Sequence, residues 1–193
     1  MTPDELRRRH AMSPERPQPE LVALNGRRFA GFAAAVFAFI VDPTTRRLLL
    51  MSSPAKRKQS GWEIVNGGLE AGETLLEGLE REVAEEAGPS VRLRVLGTVH
   101  SWTWRYDDLV PHMLCTAFVA SHLGGEIVPG DDMAGSEVQW ATLDEVEALA
   151  KSGAHLIPGE LWLFERALQC FDLWAGNNID IGKSFRSTPP PCG

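Results

Sequence analysis

The chain has 193 residues, of which 44% are hydrophobic and 23% charged, an ordinary globular composition long enough to bury one sizeable core. Nineteen Lys and Arg against twenty-six Asp and Glu leave a formal net charge of −7, which argues against a nucleic-acid polymer or an anionic membrane surface as partner, because both need a basic footprint. Cys115, Cys170 and Cys192 are far apart with no CxxC spacing, so neither a disulfide framework nor a Cys-ligated zinc is expected.

Residues 1–28 read as a polar arm, 29–175 as one domain and 176–193, ending Pro189-Pro190-Pro191, as a tail. The apolar run Gly31 to Val41 is too short to span a bilayer and too far along the chain for a signal segment, so a cytoplasmic protein is expected. Phe32 to Val41 predicts a strand buried on both faces. The turn residues Asp42 to Thr45 join it to Leu48–Met51 as a hairpin. Ser53 to Gly61 is a loop holding the basic trio Lys56, Arg57 and Lys58, and Trp62 to Val65 is a short strand.

Thr74 to Ala87 is the clearest helix, with Thr74 and Glu77 spaced as a capping box and Gly88-Pro89 as its stop. Val91 to Trp104 and His112 to Ala120 are β-rich, with His100 and His112 expected to pack across neighbouring strands. Val138 to Ala141 is a further strand; Leu143 to Leu149 and Glu160 to Leu173 have helical spacing, the latter with Leu161, Phe164, Leu168 and Phe171 on one stripe. Strands dominate both halves around one helix, which predicts an α+β fold.

In the Thr74–Ala87 helix, at about 100° per residue, Leu76, Leu79, Val83 and Ala87 share the core-facing stripe. Glu82, Glu85 and Glu86 lie within about 100° of one another, centred about 110° from that stripe. Like charges at these spacings repel. A hard cation is the simplest compensation, and carboxylate oxygens suit Mg²⁺ or Mn²⁺. A solvated acidic face is the competing reading of those three residues taken alone.

From Gly67 to Gly88 the sequence reads G-x5-E-x7-R-E-V-x-E-E-x-G. This resembles the Nudix box, the signature of the Nudix hydrolases, and departs from it only at Pro89, where an aliphatic residue is usual. The resemblance covers about residues 30–173 and implies a Nudix-like mixed β-sheet sandwiched between helices. It also implies a Mg²⁺-dependent enzyme, with Mn²⁺ as substitute, that cleaves the diphosphate linkage of a nucleoside diphosphate joined to another moiety. Nucleoside triphosphates, dinucleoside polyphosphates and nucleotide sugars are the substrate classes. A nucleotide-binding or regulatory module without turnover is the alternative, although such proteins usually lose box carboxylates that this chain keeps.

By the same resemblance Glu82, Glu85 and Glu86 are the metal carboxylates, with the Gly67 carbonyl as a further ligand, and Glu73 pairs with Arg81 to hold the loop against the helix. The general base comes either from the box or from the later acids Asp131, Asp132 and Glu137, of which Glu137 is the first choice because it adjoins a strand. Lys56, Arg57 and Lys58 are candidate phosphate ligands. Trp104 and Tyr106 are candidate base-stacking residues. Tyr106, 17 residues beyond Pro89, resembles a marker of diadenosine polyphosphate hydrolases. Trp104 stands where the ADP-ribose subgroup would favour proline, and the NADH-type and coenzyme-A-type flanking motifs are absent. Homodimerisation, common in the family, is left open, with the apolar helix 160–173 as the surface it would use.

Overall fold

In the computed structural model, residues 20–58, 60–108, 110–130, 133–177 and 180–181 are described. Most of the expected arm and tail, together with Asp131, Asp132 and Cys192, lies outside them.

The strand Ala33–Val41 (β3) is the spine. Even-numbered Val36, Ala38 and Ile40 point to one face of the sheet, while Phe39 and Val41 point to the other. A strand covered on both sides reads as a continuous apolar run rather than an alternating one. Its neighbour Leu48–Ser52 (β4) divides likewise, Leu48 and Leu50 to one side and Leu49 and Met51 to the other. The other strands of this sheet are Gly61–Glu63 (β5), Val65–Gly68 (β6), Arg92–Trp104 (β7), Met113–Gly124 (β8), Glu137–Ala141 (β9) and His155–Ile157 (β10). Along the main path the order is β10-β5-β4-β3-β8-β7, with β6 also paired to β3 and β9 to β4. The β3–β8 and β5–β10 pairs are parallel and the others antiparallel. The sheet is therefore mixed, in an α+β fold.

Helix Leu161–Trp174 covers one face with Leu163, Phe164, Ala167, Leu168 and Phe171, so most of the apolar stripe that could have served a dimer is spent on the core. Helix Leu75–Glu82 covers the other face through Leu79, continued by Val83 and Ala87. Two more helices among the described residues are Pro54–Arg57 and Leu143–Lys151. Among the described residues these helices are, in chain order, α1 (54–57), α2 (75–82), α3 (143–151) and α4 (161–174). Among the described residues no helix is long and apolar enough to cross a membrane.

Four expectations need correction. The helix does not run unbroken from Thr74 to Ala87: α2 ends at Glu82 and Val83–Ala87 forms a wider π turn. Residues 20–30, read mostly as arm, form a hairpin of Glu20–Val22 (β1) with Arg28–Ala30 (β2). Strand β10 and the short α1 were not foreseen. His100 faces Ala117 across β7 and β8 rather than His112, and packs on Trp102 and Trp162.

Candidate active site

Strand β6 sets Gly67 opposite Val36, whose side chain points toward α2. A Cβ on Gly67 would overlap the Glu82 carboxylate. Glycine here leaves the Glu82 carboxylate its place by close approach, not by an unusual backbone conformation. Five residues on, Gly72 does need its freedom, with φ +94° where the loop turns back toward the helix. The capping box then starts α2: Thr74 Oγ1 accepts from the Glu77 N–H and the Glu77 carboxylate accepts from the Thr74 N–H.

Arg81 is the hub. Its Nε donates to Glu73 Oε1 at 2.8 Å and its Nη2 to Glu73 Oε2 at 3.1 Å and to the Gly68 carbonyl at 2.8 Å. Its Nη1 donates to Glu82 Oε1 at 2.9 Å and Glu85 Oε2 at 2.8 Å. One planar cation thus ties the loop, the end of β6 and two helix carboxylates together, a geometry that suits guanidinium and not ammonium. The Arg81 hydrogen bonds, with help from the Glu70 N–H, hold the Glu73 carboxyl below its ordinary range. Glu73 in turn is the main cause that raises Arg81. Glu86 Oε2 accepts from the backbone N–H of Asn66 at 2.9 Å.

Glu82 and Glu86 are only 7% and 6% exposed. Charged carboxylates are rarely so buried unless partnered. The repulsion read from the sequence is met in part by Arg81, whose guanidinium Glu73, Glu82 and Glu85 share, while Glu86 takes the Asn66 N–H. Among the described residues no group of three or more His, Cys, Asp or Glu converges closely enough to hold a metal ion, and Arg81 and Asn66 draw the carboxylates to separate partners. The donor set itself, buried and half-buried carboxylate oxygens beside a backbone with no side chain, fits a hard divalent ion.

The other candidates fall into two groups. Arg57 Nη1 donates to Glu137 Oε1 at 3.1 Å and its Nη2 to the Gly135 carbonyl at 3.0 Å, so a candidate phosphate ligand and the candidate base meet each other. Lys56 lies 3.6 Å from the buried carboxylate of Glu63 on β5, and Lys58 is exposed. Trp102 packs on Phe37 at 5.0 Å, on the α4 side of the sheet. Trp104, two residues on in the same regular register and 49% exposed, shares that side. The box carboxylates are borne on the opposite side, by α2 and its π turn. Tyr106 is exposed in the loop beyond. Two contributors were missed in the sequence. Glu63 was marked only by a charge within a short apolar strand. Asn66 acts through its backbone N–H, for which no side-chain signal exists.

The model of the NUDIX domain family matches residues 31–159. This chain belongs to that family. Among curated relatives of this Nudix protein, NAD-capped RNA hydrolase NudC of Vibrio parahaemolyticus is 32% identical over 115 residues, 59% of this chain and 41% of that protein. Its namesake in Pseudomonas aeruginosa is 36% identical over 104 residues, 52% and 34% of the respective chains. The chain thus matches less than half the length of these relatives. Of solved structures, the MutT protein from Methanosarcina mazei Go1 superposes with a TM-score of 0.55 at 18% identity, covering 72% of this chain and 94% of that one. A Nudix hydrolase from Nitrosomonas europaea gives 0.54 at 20% identity, covering 74% and 90%. These identities speak to the Nudix fold, which both share with this chain.

Proposed function

We propose that this Nudix protein is a hydrolase that cleaves the diphosphate linkage of a nucleoside diphosphate joined to another moiety. The observation that carries this reading is the Arg81 hub: Glu73, Glu82 and Glu85 share one guanidinium beside Gly67, with buried Glu86 fixed to Asn66. Mg²⁺, replaceable by Mn²⁺, would be held by Glu82, Glu85, Glu86 and the Gly67 carbonyl. When bound, it would offset charge on the diphosphate oxygens and acidify water. Arg81 and Glu73 keep the loop and helix in register for that purpose. Lys56, Arg57 and Lys58 offset phosphate charge, and Glu137, released from Arg57 by the incoming phosphate, accepts the proton of the attacking water. Tyr106, exposed in the loop beyond β7, stacks the base, whereas the α4-side position of Trp104 speaks against the stacking role expected of it.

The acidic chain favours small nucleotides over a nucleic-acid polymer. Because two relatives are named NAD-capped RNA hydrolases, NAD joins nucleoside triphosphates, diadenosine polyphosphates and nucleotide sugars in the decisive panel. With Mg²⁺ present, the reading expects pyrophosphate, two mononucleotides or a sugar phosphate to appear from one class, and nothing without a divalent ion. Nucleotide binding with no product from any member would establish the regulatory alternative instead.

A further inference from the structure

The π turn that carries Glu85 and Glu86 is held from outside its own helix. A helix end leaves carbonyls without intrahelical partners, and here two of them find partners far away in sequence. Gly88 N–H closes the wide turn on the Val83 carbonyl at 3.1 Å. The Ala87 carbonyl then accepts from Val128 N–H at 2.8 Å and the Glu85 carbonyl from Gly130 N–H at 3.1 Å. Ser90 Oγ extends the row, donating to the Glu126 carbonyl and accepting from the Glu126 N–H, both at 3.1 Å. Residues 126, 128 and 130 thus run antiparallel to 90, 87 and 85, as an extra strand would.

The two backbones meet with no room between them. A Cβ on Gly130 would lie 2.9 Å from the Glu85 carbonyl oxygen, and one on Gly88 3.0 Å from that of Val128. On the inner side of this segment Ile127 packs against the α2-side core, and Met133 beyond it is 3% exposed in the same cluster. Farther on, Arg57 grips the Gly135 carbonyl and Glu137.

We infer that Glu126–Gly130 is a positioning strap for the carboxylate turn, with Gly130 and the Val128 N–H as the residues that set where Glu85 and Glu86 stand. The inference rests on the hydrolase reading above. Gly130 and Val128 touch no reacting atom in it; they act through the backbone of the carboxylate turn. Groups that orient metal-binding side chains typically change metal affinity by about 10–100-fold when removed. A misplacement of about 1 Å can cost about 10²-fold in rate.

The test compares wild type with Gly130→Ala, whose added methyl presses on the Glu85 carbonyl, and with Val128→Pro, which removes the N–H while also fixing φ and restricting Ile127. Gly176→Ala, where a Cβ would meet nothing within 4 Å, is the control. Mn²⁺ affinity is measured by titration alongside kcat and KM on the best nucleotide of the panel, with circular dichroism to establish folding. The strap predicts a folded Gly130→Ala or Val128→Pro protein with Mn²⁺ affinity weakened at least about tenfold and kcat down about 10²-fold at little-changed KM. A purely structural role would lower the melting temperature and leave the Mn²⁺ affinity of the folded protein unchanged. Wild-type Mn²⁺ affinity and kcat in either folded variant, with an active wild type, would overturn the strap alone. A wild type that neither binds Mn²⁺ nor hydrolyses any nucleotide would overturn the hydrolase reading and the strap with it.

Discussion

At Gly67 the absence of one carbon decides where a carboxylate can sit. Because a Cβ there would occupy the space of the Glu82 carboxylate, Gly67→Ala must expel Glu82 from its contact with Arg81. Turnover of the best nucleotide should fall by about 10²-fold or more, while the fold, held by two independent core faces, persists by circular dichroism. Glu73 offers a complementary test through pH. Its carboxyl is held below its ordinary range by Arg81 and the Glu70 N–H. A depressed folded value means that this stabilisation is present above the unfolded pKa, about 4.3 for Glu, and is lost as pH falls through the folded value. Glu73→Gln should therefore melt below wild type at pH 7, and the gap should close as the pH is lowered past that window. A gap independent of pH would show that the pair adds nothing through its charge.

At the scale of elements, local chemistry, including the β3–β4 hairpin turn, was legible and long-range backbone pairing was not. Thr74 and Glu77 announce the start of α2 because a capping box is written in side chains within one helical turn of each other. Thr74→Ala should cost about 1 kcal/mol in denaturant unfolding; no change would mean that packing, not the cap, holds the first turn. The apolar run of β3 was equally readable, since burial on both faces leaves no polar residue to interrupt it. The π turn was invisible because its partners, Val128 and Gly130, bond through N–H groups that every residue but proline carries. The hairpin β1–β2 escaped notice because its strands, Glu20–Val22 and Arg28–Ala30, are exposed throughout and show no alternation. The side of the sheet taken by Trp104 depended on the β7–β8 register, which shifts at irregularities between Val95 and Gly97 and between Thr98 and His100. The box, by contrast, is one short continuous stretch from Gly67 to Gly88, so its resemblance alone makes the Glu73–Arg81 pairing legible.

Over the whole molecule, the sheet separates two tasks. The α4 side is a dense core, with Phe39 edge-on to Phe164 at 5.2 Å. It is clasped by Arg46 to Asp172, which joins the β3–β4 turn to α4 through bonds of 2.7 and 2.6 Å. On the α2 side Glu73, Glu82 and Glu85 share the Arg81 guanidinium and Glu86 takes the Asn66 N–H, in a chain already at −7. Such a face gains stability from any ion bound only when folded. The most direct test is therefore Mg²⁺-dependent turnover of the best panel nucleotide by wild type and by Glu86→Gln, with the thermal midpoint of each followed with and without Mg²⁺. The account predicts that Mg²⁺ raises the wild-type midpoint and supports turnover, and that Glu86→Gln loses activity by orders of magnitude together with most of that shift. A folded Glu86→Gln protein with full Mg²⁺-dependent turnover and an unchanged shift would contradict it.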